Sequence, residues 1–164
     1  MFARLLTITT ALVSLSGCVS HVYQPYNLLS GGFSEKKVSE KHYSVQYKGN
    51  SNLKLQKTLD FTLLRAAVIA HKSGAPSFMS SQVNAKTTYV HGQYGTSEIT
   101  DATVDIELLN YNVRSSKSGC WIKPPKKEQN QRYPRFIHDT ASCIEELKEK
   151  LDLTDDQIYR ESQS

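Results

Sequence analysis

The sequence predicts an α+β fold: a two-layer domain in which a mostly antiparallel sheet of about four strands is covered by one main helix, with a further helix near the C-terminus. Three observations lead there. Residues 42–48 (HYSVQYK) and 102–108 (ATVDIEL) alternate apolar with polar side chains, the period of a strand buried on one face. Between them, Leu59, Leu63, Ala66, Ala67 and Ala70 recur at spacings of three and four, the period of a helix packed on one side. Gly49-Asn50 and Gly74 with Pro76 punctuate these patterns as turns do.

The chain has 164 residues and a formal net charge of +4. That is the size of one ordinary domain with its own core, and a charge too mild to name a partner. The first element is not part of the domain. Arg4 supplies one positive charge, Leu5 to Leu15 form an apolar run, and Ser16-Gly17 are small, which is the succession of an export signal. The run falls short of the roughly 20 residues needed to span a bilayer, so it reads as a cleaved segment.

Leu15-Ser16-Gly17-Cys18 resembles the lipobox of bacterial lipoproteins: an aliphatic residue, two small residues and a cysteine. The resemblance implies that the signal is cut before Cys18 and that Cys18 is the lipid-attachment site, its thiol carrying a diacylglyceryl group and its amine usually acylated too. Two or three chains anchor a protein durably where one does not. Val19 stands where enteric lipoproteins retained in the inner membrane carry aspartate, which implies the periplasmic face of the outer membrane. An ordinary secreted protein with a cysteine near its cleavage site is the alternative reading. Export makes nucleic acid an improbable partner, and the covalent lipid is the only prosthetic group expected. The chain then divides into a signal over 1–17, a lipidated terminus and tether over 18–30, a single domain over 31–153 and a polar tail over 154–164.

The segment His21–Leu29 contains Pro25, shows no period and reads as a tether or as a segment packed loosely against the domain, and Gly31-Gly32 open a loop without the longer glycine pattern of a phosphate cradle. The strand over 42–48 places Tyr43, Val45 and Tyr47 on one face. Ser51 or Asn52 is the expected cap of the long helix, and Gly74 its stop. Ser77–Val83 and Lys86–Gly92 are further strand candidates. In the strand over 102–108, Val104, Ile106 and Leu108 face one way and Asp105 and Glu107 the other, with Tyr111 and Val113 as a prolongation.

The stretches GGFSE, YSVQYKGN and DFTLLRAA, over roughly residues 31–70, are similar to a family of short, uncharacterised proteobacterial lipoproteins, with a departure at Val68, where that pattern has an acid. The resemblance implies the same address and carries no activity.

From Arg114 to Arg135 the chain is basic and rich in proline and glutamine. Arg114, Lys117, Lys123, Lys126, Lys127, Arg132 and Arg135 stand against Glu128, interleaved with Trp121, Tyr133 and Phe136. In an envelope, such a loop offers a site for phosphate or carboxylate groups of lipids and glycans; the plain reading is a solvated loop. Asp139 or Thr140 caps a last helix whose stripe is Ile144, Leu147 and Leu151, with Cys143 one turn earlier and facing inward. Cys120 and Cys143 are the even pair left in an oxidising compartment, and a disulfide between them is expected. Two buried thiols or a metal or redox pair are the rivals, the latter without Cys-x-x-Cys spacing.

No motif announces a catalyst. His21, His42, His71, His91 and His138 lack metal-ligand spacing, and there is no Gly-x-Ser-x-Gly turn. Asp105 and Glu107 share an outer strand face, where solvation is the ordinary role. Arg65, inside the apolar run Leu63 to Ala67, reads as an arginine whose stem packs while its head binds backbone carbonyls or an acid; recognition of an envelope anion is the functional alternative. Asp60, five residues earlier, is badly placed to pair with it. The expected function is a non-enzymatic, membrane-anchored binding or assembly module of a Gram-negative envelope, with an envelope protein or anionic material as partner. The alternative is a periplasm-facing enzyme acting on envelope material.

Overall fold

A computed structural model describes residues 23–51, 53–81, 83–113, 120 and 135–161. The order is β1 (Gly32–Lys37), β2 (His42–Lys48), α1 (Leu55–Lys72), β3 (Ser77–Ser81), β4 (Asn84–Gly92), β5 (Gly95–Leu109), β6 (Arg135–Asp139), α2 (Thr140–Leu151) and α3 (Asp155–Ile158). The fold is α+β as the alternation predicts, but among the described residues the sheet has six strands, in the order β1-β2-β5-β3-β6 with β4 also on β5, and each of these strand pairs is antiparallel.

The spine is β5. Its C-terminal half pairs with β2 on one side and β3 on the other, while β4 follows β3 along the same edge toward the N-terminal half. The register slips by one residue between Ser80–Ile106 and Asn84–Thr103. That is a β-bulge, and the Ser81 hydroxyl accepts from the Asp105 amide there. A two-residue turn, Gln93-Tyr94, joins β4 to β5. Gly92 pairs with Gly95 across it, and the φ of 130° at Gly95 is one that glycine adopts freely.

The even-numbered residues of β5 from Ala102 to Leu108 point to the helical layer and are buried with Phe33, Val45, Tyr47 and Phe78. Helix α1 lies on them and is flanked by α2 and α3, so that Asp60 through Ala70 are all buried, a wider burial than one stripe of spacing three and four requires. Its start differs from expectation. The cap is Lys54, without a side-chain bond, because Thr58 and Leu53 are drawn into the core and set where the first turn begins. At α2 the expected cap is present: Asp139 accepts from the Ser142 amide. Cys143, Ile144 and Leu147 face inward.

Two boundaries move. Residues 23–30 are not merely a tether: Tyr23 is buried, with its ring 4.6 Å from Phe33 and 5.7 Å from Phe61. The tail likewise contributes to the core, since a capping box between Thr154 and Gln157 starts α3 and Ile158 is buried. Strand β6 occupies the end of what reads as a loop, because Phe136 and His138 alternate inward beside β3.

Both moved segments meet at Arg65, which is 1% exposed. Its guanidinium forms a two-pronged pair with Glu35 of β1, donates to the Arg160 carbonyl at 2.9 Å, and stacks 4.2 Å from the centre of the Phe33 ring. The structural role expected of an arginine in this run is the one observed. Asp60 finds another partner, Lys150 of α2, at 2.8 Å. Burial pushes the Tyr23 hydroxyl well above the usual tyrosine range, against the lowering effect of the Arg65 charge beside it.

Arg65→Ala strands the Glu35 carboxylate in a largely dry site, and the expected loss of stability is about 3 kcal/mol. Urea unfolding of the variant against wild type measures it; a loss below about 1 kcal/mol contradicts the assignment.

Candidate functional site

Alternation along β5 sends Thr103, Asp105 and Glu107 to the sheet face opposite the helices. The register adds Ser44 and Gln46 from β2, Ser34 and Lys36 from β1, Met79 from β3, and Ile137 and Arg135 from β6. Among the described residues, no helix lies over this face.

It holds an open concavity of about 500 Å³ lined by Val38, His42, Met79, Asp105, Glu107 and Arg135. Glu107 is the hub: its Oε2 lies 3.7 Å from His42 Nε2 and 3.8 Å from Arg135 Nη1. The other His42 nitrogen, Nδ1, is 2.8 Å from the Ser39 hydroxyl. Three strands therefore bring a carboxylate, an imidazole and a guanidinium together around half-buried Met79. These groups can exchange hydrogen bonds with a ligand of either charge, and Met79 with the exposed side chain of Ile137 supplies apolar contact.

Of the seven basic residues in the expected anion-binding loop, Arg135 is the one the structure describes, and it stands on this face paired to Glu107. Arg114, Lys117, Lys123, Lys126, Lys127 and Arg132 lie outside the described residues, as does Cys18. Asp105 and Glu107 share the outer face as alternation requires.

A second cluster lies on the helical side. The structure joins Cys120 to Cys143 with Cα atoms 4.8 Å apart, and the Cys120 amide donates to Glu146 at 3.1 Å. The bond ties the chain after β5 to α2. Buried His138 sits beside it, its ligating atoms and the two sulfurs all within 4.8 Å of one another. With the sulfurs bonded to each other, neither is a thiolate ligand. His138 Nε2 is 2.7 Å from the Ser80 hydroxyl, and its ring stacks on Phe78 at 4.7 Å. Burial pulls its pKa down to about 4, so it is a neutral, hydrogen-bonded core residue at neutral pH. The inward alternation of Phe136 and His138 is its sequence signal.

No protein-family model, curated protein or solved structure matches the chain.

An unfolded histidine titrates near pH 6.5, so between that and about 4 the unfolded chain holds a proton that folded His138 refuses. Stability contributed by the neutral ring is complete above pH 6.5 and falls as pH drops, by at most about 1.4 kcal/mol per pH unit. Urea midpoints from pH 7.5 to 4.5 should fall more steeply for wild type than for His138→Gln; parallel profiles would remove the attribution. Reducing the disulfide, which closes a loop with a separation of 23 residues, should lower stability by about 3 kcal/mol in the same assay.

Proposed function

We propose that this chain is a lipid-anchored envelope protein acting as a non-enzymatic binding or assembly module, with the uncovered sheet face as its contact surface. The single observation that carries the binding role is that face: five strands hold a surface of mixed polar and apolar side chains, with Glu107, His42 and Arg135 around an open concavity. Its mixture of charged, hydroxyl and thioether groups suits a polypeptide partner, which presents both signs of charge and apolar side chains. The proposed address comes from Leu15-Ser16-Gly17-Cys18 and from Val19: the periplasmic side of the outer membrane, held by acyl chains on Cys18. No described helix is long and apolar enough to cross a membrane.

The anchor is tested with Cys18→Ala. Wild type should incorporate labelled palmitate and stay with membranes through carbonate washing, whereas the variant should do neither. A variant that remains membrane-bound contradicts attachment through Cys18. For the face, Glu107→Lys reverses the central charge at a half-buried position without touching the core, and photocrosslinks placed at Ile137 should lose their discrete product in that variant. An unchanged crosslink pattern counts against this face.

A further inference from the structure

The sheet has two unlike ends. Pairing of β1, β2 and β5 stops at the row Gly32, Lys48 and Asp101, yet β4 and β5 run on together for six more pairs, from Thr87–Thr100 to Gly92–Gly95. At about 3.3 Å per residue this two-stranded ribbon projects roughly 20 Å beyond the rest of the sheet. Large apolar side chains gather at the same end. Leu28 and Leu29, 86% and 93% exposed, form the turn between Asn27 and Gly31; Leu55 begins α1; and Tyr89, Val90 and the 99% exposed Tyr94 lie on the ribbon. Lys48 and Lys86 flank Asp101 in the last full row, Lys54 precedes α1, and Glu98 pairs with Tyr89 on the ribbon.

Tyr23, the first described residue, is also at this end. It packs on Phe33, one row inside Gly32, and on Phe61 near the start of α1. Cys18 precedes it by five residues, which reach at most about 18 Å however they are arranged. If acyl chains on Cys18 are in a bilayer, its surface lies within that distance of Tyr23. The ribbon is about as long as that reach, so its tip can meet the same surface.

We propose that this end of the domain is a membrane-docking face, with Leu28-Leu29 and the ribbon tip entering the headgroup layer of the bilayer that holds Cys18. The proposal rests on reading Cys18 as the attachment site. Leucine and tyrosine beside lysine is the composition of the membrane interface, where aromatic rings settle at headgroup depth and lysine stems reach outward. A second copy of the chain pairing along β4 would have to find this one by diffusing in the bilayer, whereas the short tether holds each copy's own bilayer within reach at all times. Docking would fix the domain's orientation and direct the opposite end of the sheet away from the membrane.

The test uses the full chain, exported by a bacterium that acylates lipoproteins and reconstituted into phosphatidylethanolamine–phosphatidylglycerol vesicles. Tyr94→Trp combined with Trp121→Phe leaves one indole, at the ribbon tip. Its emission should shift to the blue and be largely lost when the vesicle lipids carry bromine on their acyl chains. Val38→Trp in the same background, beyond the last residue of β1 at the other end, should show neither effect. An acylated protein whose residue 94 is not quenched overturns docking and leaves the anchor standing. A blue shift without quenching also overturns it, because the tip is then covered by protein. Mass spectrometry reports acylation separately, and an unmodified Cys18 overturns both readings. Hydrogen exchange on the wild-type chain, should Trp121→Phe not fold, gives the same decision: ribbon amides slowed by vesicles support docking, and unchanged ones refute it.

Discussion

A guanidinium buried in the middle of a helix must be compensated where it stands, and the rest of this domain closes around that requirement. Arg65 cannot reach water, so Glu35 must enter from β1 and the Arg160 carbonyl from the end of the chain. These partners come from opposite ends of the sequence. The same contact brings Phe33 beneath the guanidinium and Tyr23 beside it, so an N-terminal segment without any period becomes core. Breaking such a pair on one side is costly because the remaining charge has nowhere to go.

The arrangement also determines what stays open. With α2, α3, Tyr23 and the last described residues packed around α1, the described helical layer lies on one side of the sheet. The odd-numbered residues of β5 are left to solvent, and their chemistry suits that position: Thr103, Asp105 and Glu107 in place of the Ala102, Val104 and Ile106 of the inner face.

Legibility in the sequence follows burial asymmetry. Residues 42–48 and 102–108 lie where one face is wet and the other dry, and their alternation reports it. Strand β4 is exposed on both faces, so it carries no alternation; only the β-branched and aromatic run Thr87-Thr88-Tyr89-Val90 marks it. Strand β6 is five residues long and follows a proline-rich basic stretch, which hides the inward pair Phe136 and His138. On the site, period alone places Asp105 and Glu107 on the outer face, but it does not place their neighbours. His42 and Arg135 meet Glu107 through the strand order β2-β5-β3-β6, which is a long-range property that local pattern does not encode.

Whether Arg65 and Glu35 act as one unit is tested most directly by a double-mutant cycle in urea unfolding, with Arg65→Met, Glu35→Gln and the pair. The two changes should be strongly non-additive, with a coupling of about 2 kcal/mol. Additive effects would mean that each side chain is accommodated on its own, and the closure of the first and last described segments around Arg65 would lose its basis.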